Sequence, residues 1–199
     1  NHLKYSFVNT YTDCFKEKTL NLNKKYLDLL NKIPKKNLSV YDKVLQYLCT
    51  KDNESQQYNF DLMPISPLEN DLATIVESAS GKGFYSFTDK ESYNVFLYRL
   101  RFLPEICFYL KKNMRYGMAI GYTLPKIATK KLIEQFEDMI KSKSLKNPDA
   151  SKEFNKELET IILPEIESMK IFIEGEYLPK CRSTIGWSQL PNGKEEYEF

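Results

Sequence analysis

The side chains that most often perform chemistry in proteins are scarce or scattered in this sequence. It contains one histidine, His2, and four cysteines without a CxxC pair, Cys14, Cys49, Cys107 and Cys181. Catalytic zinc usually takes three protein ligands, of which His supplies most, and Ser-His-Asp or Cys-His catalysis needs a positioned His. His2 lies near a chain end, where order is usually poor. We therefore expect these 199 residues to contain no metal ligand set and no hydrolytic active site of their own.

Two further groups of side chains are candidates for acid–base chemistry or binding. Glu165, Glu167, Glu174 and Glu176 lie on a predicted helix, where they are more typical of a solvated face than of paired catalytic acids. Trp187 is the only tryptophan and lies in a loop with a glycine beside it. Such a residue is either a ligand platform or, more commonly, an anchor that holds the loop on the core.

The bulk composition excludes several classes of protein. There are 29 Lys and Arg against 27 Asp and Glu, which gives a net charge of +2, and only four of the basic residues are arginines. This balance gives no electrostatic reason to expect a nucleic-acid partner. Hydrophobic residues make up 42% of the chain, which suits a folded core, but no run approaches the roughly 20 apolar residues of a membrane-spanning helix.

Helical periodicity and capping residues dominate the first half of the chain. Apolar residues of 20–30 share one helical stripe, and Ser39 is a good N-cap for a helix over 40–49, with Val44, Leu45 and Leu48 facing inward. The polar stretch 51–57 is typical of a loop. Two prolines in 58–69 predict an irregular crossing, since residues before proline avoid the helical region. Thr88 and Glu91 form a predicted capping box.

The second half repeats a pattern in which helices begin at prolines and end at glycines or turns. Pro104 suits a helix start, and the Gly117-to-Gly121 spacing suits a close helix contact or a helix end. Thr123 is a candidate cap before a helix that starts near Pro125 and runs to about residue 143. A turn follows at 147–149. A long helix over 151–177 is expected to kink or break at Pro164.

These patterns predict a mainly α protein, an irregular multi-helix bundle with short Pro/Gly-containing connections. We divide it into N-terminal helices over 1–50, an irregular Pro/Gly-containing crossing over 51–87, a central helical bundle over 88–180 and a turn-rich segment over 181–199.

Three segments in order, 84–105, 110–140 and 163–199, together resemble the uncharacterised family numbered eight-eight-five among the domains of unknown function. The upstream Leu62-Met63-Pro64-Ile65 also fits that family's entry segment. The matching positions are Tyr93, Arg99, Leu100, Pro104, Arg115, Gly117, Gly121, Pro125, Tyr177, Pro179, Gly186, Pro191, Gly193 and Tyr197.

The resemblance implies the N-terminal helical half of a gluzincin-like protein, a class of HExxH zinc metallopeptidases. It implies no zinc in this chain and zinc in a C-terminal half, either of the same protein or of a second chain. It also implies a peptide as possible substrate. In this interpretation the chain supplies the scaffold and one wall of the peptide cleft, and the substrate-contacting residues are Gly186, Trp187, Pro191, Gly193 and Tyr197.

Other family positions have a structural role in this interpretation: Tyr93, Arg99, Arg115, Gly117, Gly121, Pro125, Tyr177 and Pro179. The resemblance implies a secreted or membrane-anchored protein, with a cytoplasmic one as the alternative. Peptide hydrolysis then depends on the second half. The alternative function is a non-catalytic helical module for interaction or structure, built on the same scaffold.

Overall fold

The structure is a computed structural model that describes residues 7–79, 90–141 and 152–199. Within these ranges the chain is mainly helical and contains no β-strand, which confirms the predicted fold class. The chain divides into two compact units. One is Val8–Phe60, and the other is formed by Phe7 and the described residues of Asp61–Phe199.

The smaller unit is a hairpin of two helices, α1 (Asp13–Asn31) and α2 (Val40–Ser55), with a 3₁₀ turn at Lys35–Asn37 between them. Ser39 caps α2 as predicted, and its hydroxyl exchanges hydrogen bonds with Asp42 in a capping box. Both helices are longer than their sequence periodicity indicates. The loop predicted over 51–57 is wrong in its larger part, because α2 continues to Ser55.

The seam between α1 and α2 buries little apolar surface. Leu30 and Cys49 are the buried apolar residues of Val8–Phe60, while Asn23 donates across the seam to Asp52. Val44 and Leu48 are about half exposed, which contradicts the prediction that they face inward. Two helices bury only the stripe where they touch, so apolar residues one position away stay outside.

The larger unit begins with a 3₁₀ turn that ends at Leu62 and an irregular stretch to Asn70. Its helices are α3 (Asp71–Ala79), α4 (Lys90–Leu100), α5 (Leu103–Ile120), α6 (Lys126–Lys141), α7 (Lys152–Glu157), α8 (Leu163–Phe172) and α9 (Gly193–Glu198). The irregular stretch is fixed to α6, since Gln135 donates to the carbonyl of Pro67 (2.8 Å) and accepts from Asn70 (3.3 Å).

The core of this unit forms where α8 packs on α5 and α6. Its fully buried side chains follow helical spacing on each helix, as periodicity predicts for a bundle. They include Leu103, Cys107, Leu110 and Met114 of α5, Leu132 and Phe136 of α6, and Ile166 and Met169 of α8. This bundle positions the α5–α6 turn, against which the last part of the chain packs.

Proline and glycine act at the helix ends mostly as predicted. Pro104 lies in the first turn of α5. Gly121 ends α5 in the left-handed conformation (φ 79°), which costs glycine little. A Cβ on Gly117 would lie 2.5 Å from the carbonyl oxygen of Tyr122, so this glycine permits the turn to fold back on α5. The hydroxyl of Thr123, predicted to cap α6, accepts a hydrogen bond from the backbone N–H of Arg182 (3.2 Å).

The long C-terminal helix does not break at Pro164. The segment Leu158–Ile162 is π-helical, and α8 starts at Leu163 with helical dihedrals on both sides. Proline has no N–H to donate to the carbonyl four residues earlier. Because hydrogen bonds in a π-turn join residues five positions apart, the helix can continue past the missing donor. A second π-helical segment, Ile173–Tyr177, follows α8.

Some predictions concern residues outside the described part of the chain. These are the Thr88 side of the capping box, the turn at 147–149 and the extension of α6 beyond residue 141.

Candidate functional site

The last nineteen residues form a segment, here called the C-terminal segment (181–199), that packs on the turn between α5 and α6. Arg182 makes the principal connection. Its Nε donates to the carbonyl of Thr123 (2.9 Å), and its Nη1 donates to the carbonyls of Thr184 (2.9 Å) and Gly186 (2.7 Å). One planar guanidinium thus fixes both the turn and the loop ahead of Trp187. Partial burial lowers the pKa of Arg182.

Backbone contacts extend this connection. The N–H of Lys126 donates to the carbonyl of Arg182 (2.8 Å), and the N–H of Arg182 donates to the hydroxyl of Thr123 (3.2 Å). Next to them the N–H of Leu124 donates to the buried hydroxyl of Tyr177 (2.9 Å). Burial raises the pKa of Tyr177, which keeps its hydroxyl protonated.

A buried tyrosine–carboxylate pair lies on the other side of the segment. The hydroxyl of Tyr122, which is fully buried, donates to Glu196 of α9, which is 5% exposed. Burial raises the pKa of Tyr122, and the neighbouring carboxylate raises it further. A hydrogen bond from a hydroxyl to a carboxylate is stronger than one between neutral groups, and its loss would leave a buried carboxylate without that donor.

Apolar contacts complete the attachment. Leu62, Tyr122 and Leu190 form a buried cluster, against which Met63 and Trp187 pack from the side. The rings of Tyr122 and Trp187 meet edge to face with centroids 6.5 Å apart, a favoured aromatic geometry. Trp187 therefore holds the C-terminal segment on the α5–α6 turn.

Gly193 marks the tightest backbone approach in the segment. A Cβ at this position would lie 2.0 Å from the carbonyl oxygen of Trp187 and 3.0 Å from the Cβ of Leu190. No side chain fits there, so α9 can start directly beneath the Trp187 turn only with glycine at this position. The segment predicted to be turn-rich over 181–199 thus also contains a helix, α9.

The five residues predicted to contact substrate fall into two groups. Gly186, Pro191 and Tyr197 are exposed, with Tyr197 79% exposed, whereas Trp187 is half-buried and Gly193 is buried. The structure thus brings Trp187 and Gly193 together beneath the surface of the segment and places the other three on its outside. Their role as substrate contacts stays a prediction.

The other family positions lie mostly at helix ends and contacts of the bundle. Arg115 pairs with Glu176 through two hydrogen bonds (2.8 and 3.0 Å) and lies over the ring of Phe172. The pair is half exposed. It raises the pKa of Arg115 and lowers that of Glu176.

The remaining family positions are simpler to place. Arg99 and Pro179 are exposed, and Pro125 precedes α6 where it bridges to Arg182. Tyr93 belongs to α4, and its side chain is outside the described part of the structure.

The four glutamates around α8 do not converge on one site. Glu167, Glu174 and Glu176 are exposed, and Glu174 pairs with Lys170 (3.0 Å). Glu165 lies beside the buried thiol of Cys107, whose pKa burial raises to about 12, with a further contribution from the Glu165 charge. A thiol with so high a pKa is a poor nucleophile. Neither the four glutamates nor Cys107 with Glu165 has the geometry of a catalytic pair.

Among residues 7–79, 90–141 and 152–199 there is no group of three or more His, Cys, Asp or Glu that could hold a metal ion. Within the same ranges no helix is long and apolar enough to cross a membrane.

The comparison with protein families decides the classification. The family described as "Bacterial protein of unknown function (DUF885)" matches residues 4–199. The chain belongs to this family. A search of curated proteins and a search of solved structures found no match. The DUF885 match covers the first fifty residues as well, which the sequence resemblance had left out.

Sequence reasoning missed the residues that attach the C-terminal segment in this DUF885 protein. Arg182 is one of only four arginines, which is a usable signal, because planar donors are chosen where several carbonyls must be held. Glu196 and Tyr122 gave no such signal. Their pairing across 74 positions of sequence depends on the fold of α9 against the turn.

Proposed function

We propose that this chain is the helical N-terminal part of a zinc-metallopeptidase-like protein, in which it supplies the scaffold and one wall of a peptide cleft. The zinc ligands belong in this proposal to another part of the protein or to a second chain, since the described residues offer no ligand set that fits zinc. The chain is not catalytic on its own.

The proposal rests on one observation: the C-terminal segment is held on one side by the α5–α6 turn and is exposed on the other. Arg182 and the Tyr122–Glu196 pair hold it from the buried side. Gly186 and Tyr197 are exposed on its outside. A substrate wall needs this combination, because a backbone that is already ordered loses little conformational entropy when a peptide binds.

The proposal is tested on the native protein and on the isolated 199-residue chain. We expect the native protein to bind about one zinc per molecule and to cleave peptides, with loss of activity on chelation. The isolated chain should bind no stoichiometric zinc. One equivalent of zinc held by the isolated chain contradicts the division of labour, and a native protein without zinc and without peptidase activity overturns the function.

The wall is tested separately with exposed tyrosines. Tyr197→Ala should raise the KM for peptides several-fold without changing the melting temperature. Tyr116→Ala is the matched control, since Tyr116 is 61% exposed on α5 and lies outside the C-terminal segment. An equal KM for the two variants removes Tyr197 from the wall. For Trp187→Ala, unchanged turnover together with unchanged folding would show that the segment is not part of the cleft.

A second candidate function, a non-catalytic interaction module, is favoured by a different observation. The unit Val8–Phe60 carries large apolar side chains on its surface, among them Tyr41 and Leu48, which are 75% and 56% exposed. Exposed apolar surface of this kind is typical of a binding face.

A further inference from the structure

The α1–α2 hairpin has one apolar side, here called the hairpin face. Its seven side chains are between 37% and 75% exposed: Leu22, Tyr26, Leu29 and Ile33 of α1 and its end, and Tyr41, Val44 and Leu48 of α2. If roughly half of the area that such side chains bury in a core is exposed here, the seven together expose about 600 Å² of apolar and aromatic surface. Patches of this size on a protein surface usually mark a binding site.

Helical geometry places the two stripes on the same side of the hairpin. The helices are antiparallel, because Asn23 bonds to Asp52 while Asn31 bonds to Gln46. On α1 the face residues come one position before residues that point at α2, and the same is true on α2, where Leu48 precedes buried Cys49. An equal rotation on two antiparallel helices turns both stripes toward the same side.

Spacing along α1 is that of a coiled-coil seam. The distances from Leu22 to Tyr26, Leu29 and Ile33 are four, seven and eleven positions, an alternation of four and three. The helix α1 presents Leu22, Tyr26 and Leu29 as one row, and Ile33 lies two positions after its last residue, Asn31. A further helix can fill this row by knobs-into-holes packing. The seam of the hairpin itself buries only Leu30 and Cys49 as apolar residues, so a third helix would complete a core that two helices leave small.

A row of lysines follows one edge of this face. Lys18, Lys25 and Lys32 are exposed, lie seven positions apart, and follow the outer edge of the α1 stripe. Lys25 and Lys32 thus directly precede the face residues Tyr26 and Ile33. Coiled coils place the charges that select a partner at such positions beside the apolar seam. Of the acidic residues of α1, those at positions 13 and 17 lie on the side away from the face, while Asp28 lies between Lys25 and Lys32 on the lysine edge and leaves that edge with a net charge of +2 (three lysines against one aspartate).

We propose that the hairpin face binds an amphipathic helix of another polypeptide, with an apolar stripe spaced by three and four and carboxylates seven positions apart along one edge. The apolar stripe fills the row between α1 and α2, and the carboxylates pair with Lys18, Lys25 and Lys32. This inference gives the second candidate function above a partner of stated chemistry, and it rests on that candidate alone. It does not depend on zinc or peptide hydrolysis.

Two other occupants fit the surface less well. In a second copy of the chain, the outer edge of α2 carries Val40 and Tyr47 and no row of carboxylates. The row of lysines on α1 would therefore have no acidic row to pair with. An anionic membrane would bind best to a face with lysines along both edges, whereas here the regular row of lysines follows α1 only.

The test uses two synthetic helical peptides of about three heptads that share one leucine stripe. One carries glutamate at seven-residue spacing on the edge, and the other carries lysine at the same positions. Binding to the 199-residue chain is measured by calorimetry. We expect the acidic peptide to bind at least about tenfold more tightly, and we expect this preference to weaken as salt is raised.

A charge-swap variant separates edge pairing from general attraction. Lys18→Glu/Lys25→Glu/Lys32→Glu should reverse the preference in favour of the basic peptide. The matched control is Lys24→Glu/Lys35→Glu/Lys36→Glu, which changes the net charge equally at positions away from the face and should keep the preference for the acidic peptide. Circular dichroism confirms that each variant is folded. Equal responses of the two triple variants contradict the edge pairing.

The face itself is tested with Leu29→Gln/Val44→Gln, which should abolish binding of the acidic peptide. Three results overturn the proposal: no binding of either peptide, equal binding of both, and binding that survives Leu29→Gln/Val44→Gln. Binding to vesicles of anionic lipid without peptide binding assigns the face to a membrane instead. A dimer that dissociates in the Leu29→Gln/Val44→Gln variant, again without peptide binding, assigns it to a second copy.

Discussion

The C-terminal segment and the α1–α2 hairpin differ in the contacts that hold them and in how much of their surface they bury. The segment is short and poor in regular structure, yet polar contacts hold it: half-buried Arg182 on three carbonyls and buried Tyr122 on Glu196. The hairpin consists of two long helices with good N-caps, yet it buries two apolar residues and leaves nine large apolar side chains exposed, seven of them on the hairpin face.

The difference shows that regular structure and local stability are separate properties. A helix satisfies its own backbone, but its free energy of unfolding in a protein comes mostly from the apolar face that it buries. The segment gains from contacts that connect distant parts of the chain, whereas the hairpin gains mainly from local hydrogen bonds. We therefore expect the segment to open together with the bundle and the hairpin to open more easily.

Gly193→Ala should produce the largest effect on the segment. The new Cβ would lie 2.0 Å from the carbonyl oxygen of Trp187, and both are backbone-linked, so the turn and α9 must separate. We expect a loss of about 3 kcal/mol in the free energy of unfolding, at the upper end for overpacking. Chemical denaturation measures it, and the fluorescence of Trp187, the sole tryptophan, reports the segment directly.

Gly186→Ala is the matched control. The nearest atom to its Cβ would be the Ser188 hydroxyl at 3.6 Å, and its dihedrals suit alanine, so stability should be unchanged or slightly higher. Equal losses for the two glycine variants would show that the close approach at Gly193 does not hold the segment.

Thiol labelling compares the two regions within one molecule. Cys49 lies in the hairpin seam and Cys107 in the core of the bundle, and both are buried. If the hairpin opens with about 2.7 kcal/mol less free energy than the bundle, Cys49 reacts about a hundredfold faster than Cys107. Site-resolved mass spectrometry of alkylation gives both rates, with exposed Cys14 as the internal reference.

Equal labelling rates of Cys49 and Cys107 at all denaturant concentrations would contradict this comparison. They would mean that the hairpin and the bundle open as one cooperative unit.

Much of the fold was predictable, because helix positions depend on local patterns. Ser39, Pro104 and Gly121 each act where their chemistry indicates, at a cap, a first turn and a left-handed helix end. The failures are also local in origin. The polar stretch after residue 50 has no breaker before Ser55, so α2 simply continues. Before Pro164 the helix departs from α-geometry in the π-helical segment Leu158–Ile162 and does not break.

The candidate site was predictable only in part. Glycine and tryptophan in 186–193 indicate a tight, anchored turn, and Trp187 does pack on Tyr122. The pairing of Tyr122 with Glu196 and the contact of Arg182 with the carbonyl of Thr123 join residues that are 74 and 59 positions apart. Periodicity and capping rules describe neighbours in sequence, so they contain no information about such pairs.

Arg182→Lys should have an intermediate effect. A lysine ammonium cannot replace a planar fork that reaches three carbonyls at 2.7 to 2.9 Å, so we expect a loss of about 1 to 2 kcal/mol. The control is Arg115→Lys. Its pair with Glu176 is half exposed and screened by water, so its loss should stay below about 0.5 kcal/mol. Thermal melts in low and high salt measure both, and a larger loss at Arg115 would reverse the ranking.

The smallest effect is expected on the hairpin face, and it is informative because it is small. Leu29 and Leu30 are neighbours in α1, but Leu29 is 49% exposed and Leu30 is 7% exposed. Leu30→Gln places an amide in the seam and should cost about 2 kcal/mol, whereas Leu29→Gln should change the free energy of unfolding by less than about 0.5 kcal/mol. Denaturation of the two single variants measures the contrast.

A side chain that can be replaced without loss of stability is not retained for folding. If Leu29→Gln folds as well as the original chain and, combined with Val44→Gln, no longer binds the acidic peptide, the hairpin face serves a partner. If Leu29→Gln instead costs as much as Leu30→Gln, the hairpin face is part of the core of the chain, and the contrast between hairpin and C-terminal segment disappears.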